Sequence, residues 1–341
     1  MLSVGLACTG CASSHVPVDT ALPPQDVGET AERVVEVAAS GGRTLALTSH
    51  GRVFSWGLIT DGAAEGVFPT AEGYYLSPLP RHIRRGRTAS DLVGDHAVCV
   101  VEGGADVWCP HPLEERWART RARGRILSAD WNVACVIDAG SVFGVVQTTG
   151  REYQILDRGE LVEHCNLGNS ALLAGASTVW YGPWDDVREA YDLRPIDVDA
   201  AVVGVGNQGE VALRNGHVIA VHGGGPDELL VLPGPVDSYA PAVPEVSPNF
   251  SGCAVLAGGE VHCWPGIDGN AWGCADLRRG PATSFHVDGV AAVQVDVGYR
   301  HACALDIDGR VWCWGYNGFG EVGDGSLDCR PAPVEVVLPL H

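Results

Sequence analysis

Three pairs of cysteines carry the most sharply defined chemistry in this chain. Cys99–Cys109, Cys253–Cys263 and Cys303–Cys313 each enclose a short apolar run, a Gly-containing turn and a closing Val-x-Cys. Two thiols opposed across antiparallel strands can be oxidised to a disulfide when their Cβ atoms face each other. Closing a loop of that size stabilises a fold by roughly 2–3 kcal/mol in the chain-entropy picture. Buried free thiols or a metal site are the alternatives. A metal is disfavoured because each pair stands alone in its own segment, with no neighbouring Cys-x-x-Cys to complete four ligands. The spacing therefore predicts three disulfides. Cys135, Cys165, Cys274 and Cys329 remain, with Cys135–Cys165 and Cys274–Cys329 as candidate pairs among the connectivities open to them. Twelve cysteines are many for a cytosolic protein of this length, and these pairs imply an oxidising compartment.

Other reactive groups are less organised. The chain has no lysine, so it has no phosphate-cradling Gly-x-x-x-x-Gly-Lys, and it lacks His-Glu-x-x-His and Gly-x-Ser-x-Gly. Asp306-Ile-Asp308-Gly309 has the start of a calcium loop but not its further acids, and reads as a hairpin turn. His96 and His301 stand just before the first cysteine of their segments, where a packed, hydrogen-bonded structural role is expected. His262 adjoins Cys263 without a metal partner visible in sequence. Asp185-Asp186 and Glu114-Glu115 are adjacent pairs, which rarely present both groups to one substrate. No catalytic, cofactor-binding or metal-ligating residue is predicted. An enzyme would need residues from several segments to converge on an axial pocket.

The elements that must position these groups repeat along the chain. The unit is a short apolar strand, a turn with glycine, and then a valine often followed by tryptophan. The shared valine falls at Val53, Val107, Val142, Val179, Val218, Val261 and Val311, seven copies with a mean period of about 43 residues. Alternating apolar and polar residues around these turns are hairpin chemistry. A further β-type run lies upstream of most units, as in Val34–Val37, Ala201–Val205 and Ala292–Val297. No segment keeps a 3.6-residue apolar period over three turns, and the polar, Arg-rich stretch His111–Arg125 reads as a decorated loop. Four short strands per unit, seven times over, predict an all-β, seven-bladed β-propeller over residues 31–341. A linear solenoid would need polar end caps that are not evident. Ring closure is expected from pairing of the two chain ends within one blade, with Pro333–Leu338 as the C-terminal strand.

The last unit is the fullest. Gly298-Tyr-Arg-His301-Ala-Cys-Ala-Leu305, then Asp308-Gly-Arg-Val-Trp-Cys-Trp-Gly315, then Asn317-Gly-Phe-Gly-Glu-Val-Gly-Asp-Gly325 resembles the regulator-of-chromosome-condensation repeat family. Units one and six keep parts of the pattern, and units three to five little beyond strand, turn and valine. The resemblance implies a seven-bladed propeller. It also implies a fold shared by nucleotide-exchange factors, enzyme inhibitors and scaffolds, so the fold alone does not choose a function. Secreted bacterial members that inhibit enzymes through one propeller face offer a precedent in kind. Guanine-nucleotide exchange would follow from the resemblance only.

Charge narrows the partners. The net charge is −20 and all 22 basic residues are arginine, so the surface repels phosphate backbones and nucleic acid is not an expected ligand. Nine arginines fall between Arg81 and Arg125 against six acids, leaving that window +3. It is either a pair of solvated loops or a docking patch for an acidic partner or for the lipid or polysaccharide phosphates of an envelope. The N-terminal Met1–Ser14 is apolar and ends in small residues around cysteine, which resembles a bacterial lipoprotein signal. Cys11 is the expected lipidated residue and Cys8 the alternative. The run is short and has no basic residue before it, as an upstream start would explain. Residues 13–30 are polar and Pro-containing, like a tether, so residues 1–30 are set apart as signal and tether.

Trp56, Trp108, Trp180, Trp264, Trp312 and Trp314 occupy the valine-tryptophan region and are expected to fill core between blades. Trp117, Trp131, Trp184 and Trp272 lie off that motif, where tryptophan often anchors a protein partner. The turn before the second strand carries Arg43-Thr44, Asp95-His96, Trp131-Asn132, Asn169-Ser170, Asn207-Gln208, Asn249-Phe250 and Tyr299-Arg300. Equivalent turns ring one end of a propeller, so Trp131, Asn132, Asn169, Asn207, Phe250, Tyr299 and Arg300 are candidate partner-binding residues. Asparagine chosen only for its turn conformation is the plainer explanation. The expected function is a monomeric protein-binding module, secreted or attached through lipid to a bacterial envelope in the periplasm or outer membrane. An enzyme of the axial pocket acting on a surface polysaccharide is the alternative. Reduction should cost about 2–3 kcal/mol of stability for each hairpin bridge opened, and so lower the thermal unfolding midpoint. Equal circular-dichroism melts with and without dithiothreitol would remove the basis for an oxidising compartment.

Overall fold

Every regular element among the described residues is a β-strand, and strand pairing resolves them into seven four-stranded antiparallel meanders. The computed structural model describes residues 31–340 except 60–67, 70–74, 85, 94–98, 104–105, 111–116, 120–124, 130–132, 139–140, 147–150, 158–161, 168–169, 186–187, 207–208, 223–224, 242–251, 265–273 and 275–283. Blade one comprises Val34–Ser40, Arg43–Thr48, Val53–Ile59 and Tyr75–Ile83, with Phe68–Pro69 added at its edge. Blade two comprises Ala89–Val93, Cys99–Glu102, Asp106–Pro110 and Trp117–Arg119. Blade three runs from Arg125–Ala129 through Val133–Asp138 and Ser141–Val146 to Glu152–Leu156. Blade four holds His164–Leu167, Ser170–Ala174, Thr178–Asp185 and Arg194–Asp197, and Ala190–Tyr191 also pairs with its third strand. Blade five holds Val202–Val205, Glu210–Leu213, His217–His222 and Gly225–Val231. Blades six and seven share one long strand, Phe285–Val297. Its first part pairs with Glu260–Trp264 to finish blade six, and its second part pairs with His301–Asp306 to begin blade seven. Val236–Pro241 and Gly252–Leu256 complete blade six, and Val311–Gly315 and Arg330–Val336 complete blade seven.

All seven repeat valines lie in the third strand of their blades, each no more than 3% exposed. The reason is that a blade is covered on both faces, so strand residues are buried whichever way they point. Alternation assigns each face to one neighbour. Leu45 packs toward Leu92 and Val100 of blade two, whereas the next residue, Ala46, packs toward Cys303 and Leu305 of blade seven. Seven hydrophobic clusters result, each spanning one pair of successive blades, and the last joins blade seven to blade one. The all-β propeller and its seven repeats therefore follow the expected plan.

Hairpin glycines make the blades fit. The Gly51 carbonyl accepts the Ala89 N–H of blade two, and the Gly259 carbonyl accepts the Ala292 N–H of blade seven, both at 2.8 Å. Gly51 has φ +76°, and a Cβ there would lie 2.8 Å from the Ala89 carbonyl oxygen, so no side chain fits.

Ring closure differs from the expected pairing of chain ends. Val334, Glu335 and Val336 pair with Cys313, Trp312 and Val311 of their own blade. Blade one is instead held by side chains and by a loop. Gln294 of blade seven brackets Val37, accepting from its N–H at 3.1 Å and donating to its carbonyl at 3.0 Å, and Asp296 accepts the Ala39 N–H at 2.7 Å. The loop Asn317–Gly325 reaches across so that the Glu321 carbonyl accepts from Trp56 Nε1 at 2.7 Å and Thr44 Oγ1 at 3.0 Å. Asn317, fully buried, fixes that loop: its Oδ1 accepts the Val322 N–H at 2.9 Å and its Nδ2 donates to the Ser326 carbonyl at 3.0 Å. The C-terminal tail adds Leu338 and Leu340 to the same cluster, and Arg52 Nη2 donates to the Leu340 carbonyl at 2.8 Å.

Four disulfides are fully described. Cys253–Cys263 and Cys303–Cys313 join directly opposed residues, with Cα separations of 4.0 and 4.1 Å. Cys135–Cys165 ties blade three to blade four, and Cys274–Cys329 ties a segment before blade seven to the loop that ends it. Cys99 is also disulfide-bonded. The side chain of Cys109 lies outside the described residues, but the Val100–Trp108 register sets Cys109 opposite Cys99. The segment expected to be a loop, His111–Arg125, contains the strand Trp117–Arg119, whose Ala118 pairs with Cys109. Sheet pairing there prevails over the segment's polar composition. Cys11, with residues 1–30, lies outside the described residues.

Two carboxyls at the blade junctions titrate abnormally. Burial pushes Glu321 up to about 7. Burial and the facing Asp91 and Asp296 push Glu36, which accepts the Leu92 N–H, up to about 8. The folded chain then holds protons that the unfolded chain has released above about pH 4.5, so stability present at low pH is lost as pH rises through these values. Glu321→Gln keeps an acceptor for the Phe319 N–H, which Glu321 Oε2 accepts at 2.8 Å. It should therefore match the parent near pH 4 and exceed it by about 2 kcal/mol at pH 8.5 in urea unfolding. A parent-like loss of stability on going to pH 8.5 would contradict this.

Candidate binding surfaces

Of the seven residues expected to ring one end of the propeller, Trp131, Asn132, Asn169, Asn207 and Phe250 lie outside the described residues. Tyr299 and Arg300 do stand in the bend before the second strand of blade seven. The Tyr299 N–H donates to the Gly41 carbonyl at 2.9 Å, and the exposed Arg300 lies over the Tyr316 ring at 5.9 Å. The matching pair in blade one needs correction. Arg43 and Thr44 are buried strand residues, with Arg43 Nε donating to Ser55 Oγ at 2.7 Å and Thr44 Oγ1 2.9 Å from His301 Nε2. His301 is structural, as expected. Its burial holds the imidazole down to about 3, so it is neutral, and its Nε2–H donates to the hydroxyl that bonds Glu321.

The arginine-rich window is partly tied into the fold. Arg84 and Arg87 both pair with Glu102, at 2.5 and 3.0 Å, and both lie over the Trp108 ring, at 4.4 and 4.9 Å. The two guanidinium groups pull the Glu102 carboxyl below its ordinary range against the opposing effect of burial. Trp108 and Trp312 are thus half-buried beneath polar partners, Trp312 Nε1 donating to Asp306 Oδ2 at 3.1 Å, while Trp56, Trp180, Trp264 and Trp314 are core as expected.

Two surfaces stand open among the described residues. A cleft of ≈ 330 Å³ lies between the hairpins of blades six and seven, lined by Val255, Leu256, Ala292, Val293 and Ile307. Its one charged lining residue, Asp237, is already paired with Arg214 at 2.9 Å. The second surface is aromatic. Tyr153, on the outer strand of blade three, meets Trp184 of blade four edge-to-face at 5.3 Å. Trp184 meets Tyr191 in the same way at 5.0 Å, and all three rings are half-buried. Tyr153 can lie flat because its cross-strand partner is Gly144, where a Cβ would come within 2.2 Å of the tyrosine ring. Tyr191 is brought in by the extra strand Ala190–Tyr191, an addition to the four-stranded plan. Arg151 pairs with Glu189 across the same blade junction, and Arg188 with Asp185 at 3.6 Å. Rigid aromatic rings framed by arginine and carboxylates have the composition of a protein-binding hot spot. Trp184 stood out in sequence because it leaves the repeat. Tyr153, Gly144 and Tyr191 did not, since they meet it only through pairing within and between blades.

Residues 34–62 and 292–321 match the regulator of chromosome condensation (RCC1) repeat, and residues 308–340 match a second description of the same repeat. The Ultraviolet-B receptor UVR8 of Arabidopsis thaliana is 44% identical over 46 residues, 14% of this chain and 10% of the receptor. The RCC1 domain-containing protein RUG3, mitochondrial, of Arabidopsis thaliana is 30% identical over 119 residues, 33% of this chain and 27% of that protein. The chain thus matches between about a tenth and about a quarter of the length of these curated relatives. Among solved structures, Kluyveromyces lactis Hsv2 shares the fold, with a TM-score of 0.50 at 7% identity over 85% of this chain and 96% of that one.

Glu102→Ala would leave Arg84, whose side chain is 9% exposed, without its carboxylate. A loss of about 3–5 kcal/mol is expected in urea unfolding. A loss below 1 kcal/mol would contradict a structural role for this ion-pair cluster.

Proposed function

We propose that this RCC1-repeat β-propeller is a protein-binding scaffold that captures its partner on the Tyr153–Trp184–Tyr191 surface. The aromatic trio carries the reading. It joins two blades through residues outside the repeat, at a place where the fold does not require three adjacent rings. The most perturbed carboxyls and the buried histidine, Glu36, Glu321 and His301, have other work in the blade junctions. This favours a binding module over an enzyme of the axial pocket. Attachment to a bacterial envelope, or secretion, is supported by the disulfides and by the lipoprotein-like residues around Cys11. A net charge of −20 supports a protein partner rather than nucleic acid, and the module acts as a monomer.

Quantitative affinity capture from a native envelope fraction tests the reading, with the oxidised propeller as bait. A partner retained by the parent should bind at least about 30-fold more weakly to Trp184→Ala, the cost of a hot-spot residue. Undiminished retention by Trp184→Ala and Tyr191→Ala would overturn this site. Loss confined to a Trp131→Ala, Phe250→Ala, Tyr299→Ala triple variant would move binding to the end ring.

A further inference from the structure

His262 and His286 form a pair that the binding surface does not use. They are direct cross-strand partners in blade six, so their side chains leave the same face of the sheet. Glu260 and Asp288 approach the pair from either side of a register shift between the two strands, Glu260 Oε2 lying 3.8 Å from His262 and Asp288 Oδ1 2.9 Å from His286. The imidazole centroids are 5.5 Å apart and the ring planes differ by 50°. Two imidazoles bound to one tetrahedral ion through 2.0–2.1 Å bonds place their ring centres roughly 5–5.5 Å apart.

Nitrogen atoms are available on both rings. His286 Nδ1 is 2.9 Å from Asp288 Oδ1, which fixes the ring and leaves Nε2 for a ligand. A carboxylate behind a ligating histidine is the usual second layer of a metal site. His262 Nδ1 is buried without a hydrogen-bond partner, and Nε2 is 3.8 Å from Glu260 Oε2, too long for a hydrogen bond. The outer ring is accessible, since His286 is 44% exposed. Across the strand His262 faces Ala254, whose methyl takes little of the space beside it.

We propose that His262 and His286 chelate a borderline divalent transition ion such as zinc, with Asp288 orienting His286 and solvent completing the coordination. No three His, Cys, Asp or Glu side chains converge on a metal position among the described residues. The site is therefore a two-imidazole chelate and not a closed four-ligand structural centre. Its ligands come from the third and fourth strands of one blade, so an ion there pins the outer edge of blade six.

Isothermal titration of the oxidised full chain with ZnCl₂ tests this, with the zinc-dependent shift in thermal midpoint as a second readout. The parent should show one site and a raised midpoint. His286→Ala should lose that site and the zinc-dependent shift while keeping the metal-free midpoint, because His286 is a surface residue. Asp288→Asn should weaken binding roughly tenfold. Equal zinc binding by the parent and His286→Ala would assign the ion to other histidines and overturn the proposal. Absence of binding by the parent would do the same.

Discussion

A ring of blades is stable only if its last member covers the first, because each blade is apolar on both faces. Here that constraint converges on one carbonyl oxygen, that of Glu321, which accepts from Trp56 and Thr44 of blade one. Thr44 in turn takes the Nε2–H of His301, which stands beside the Cys303–Cys313 strands of blade seven. The Glu321 carbonyl, the Trp56 indole, the Thr44 hydroxyl and His301 Nε2 are thus paired together in one buried junction, where losing a partner would cost about 1–3 kcal/mol. The apolar cluster around them includes residues from Val34 to Val336. Among the described residues, closure is therefore made by packing and by hydrogen bonds from side chains and loops, and the C-terminal strand pairs within its own blade.

The disulfides reinforce the same logic at different ranges. The two fully described hairpin bridges fasten the second strand to the third within blades six and seven, on the face that meets the following blade. Cys135–Cys165 acts between blades instead, joining a core residue of blade three to the first strand of blade four. Cys274–Cys329 anchors the loop region beyond Gly315 that completes the closing junction. Covalent links thus supplement the non-covalent contacts on both sides of the ring. An oxidising location suits such a design, and the aromatic surface proposed for partner binding lies across the same junction of blades three and four that Cys135–Cys165 braces.

Much of the architecture was legible in the sequence because a propeller repeats one local pattern. The seven valines marked the third strands, and the hairpin cysteines of blades six and seven and the Asp306–Gly309 turn read correctly because they depend on neighbours a few residues away. Asp306 Oδ1 accepts the N–H groups of Asp308 and Arg310, as a hairpin turn requires. What stayed hidden depends on distant partners. Gln294 looks like any polar strand residue until Val37 is placed beside it, and Arg43–Thr44 look like a turn until blade seven covers them. Trp117–Arg119 reads as loop because its strand character comes from pairing with Trp108–Pro110. The aromatic trio and the His262–His286 pair were invisible for the same reason, although Trp184 and His262 were each conspicuous singly.

Native-state hydrogen exchange of the Trp56 indole N–H, followed by NMR in low urea, tests ring closure most directly. If the Glu321 junction holds the ring, that proton exchanges only with global unfolding, at the same free energy as the Ala46 and Cys303 amides in the adjoining strands. Exchange at a free energy well below the global value would contradict it. The junction between blades seven and one would then open on its own, and the ring would have to be held elsewhere.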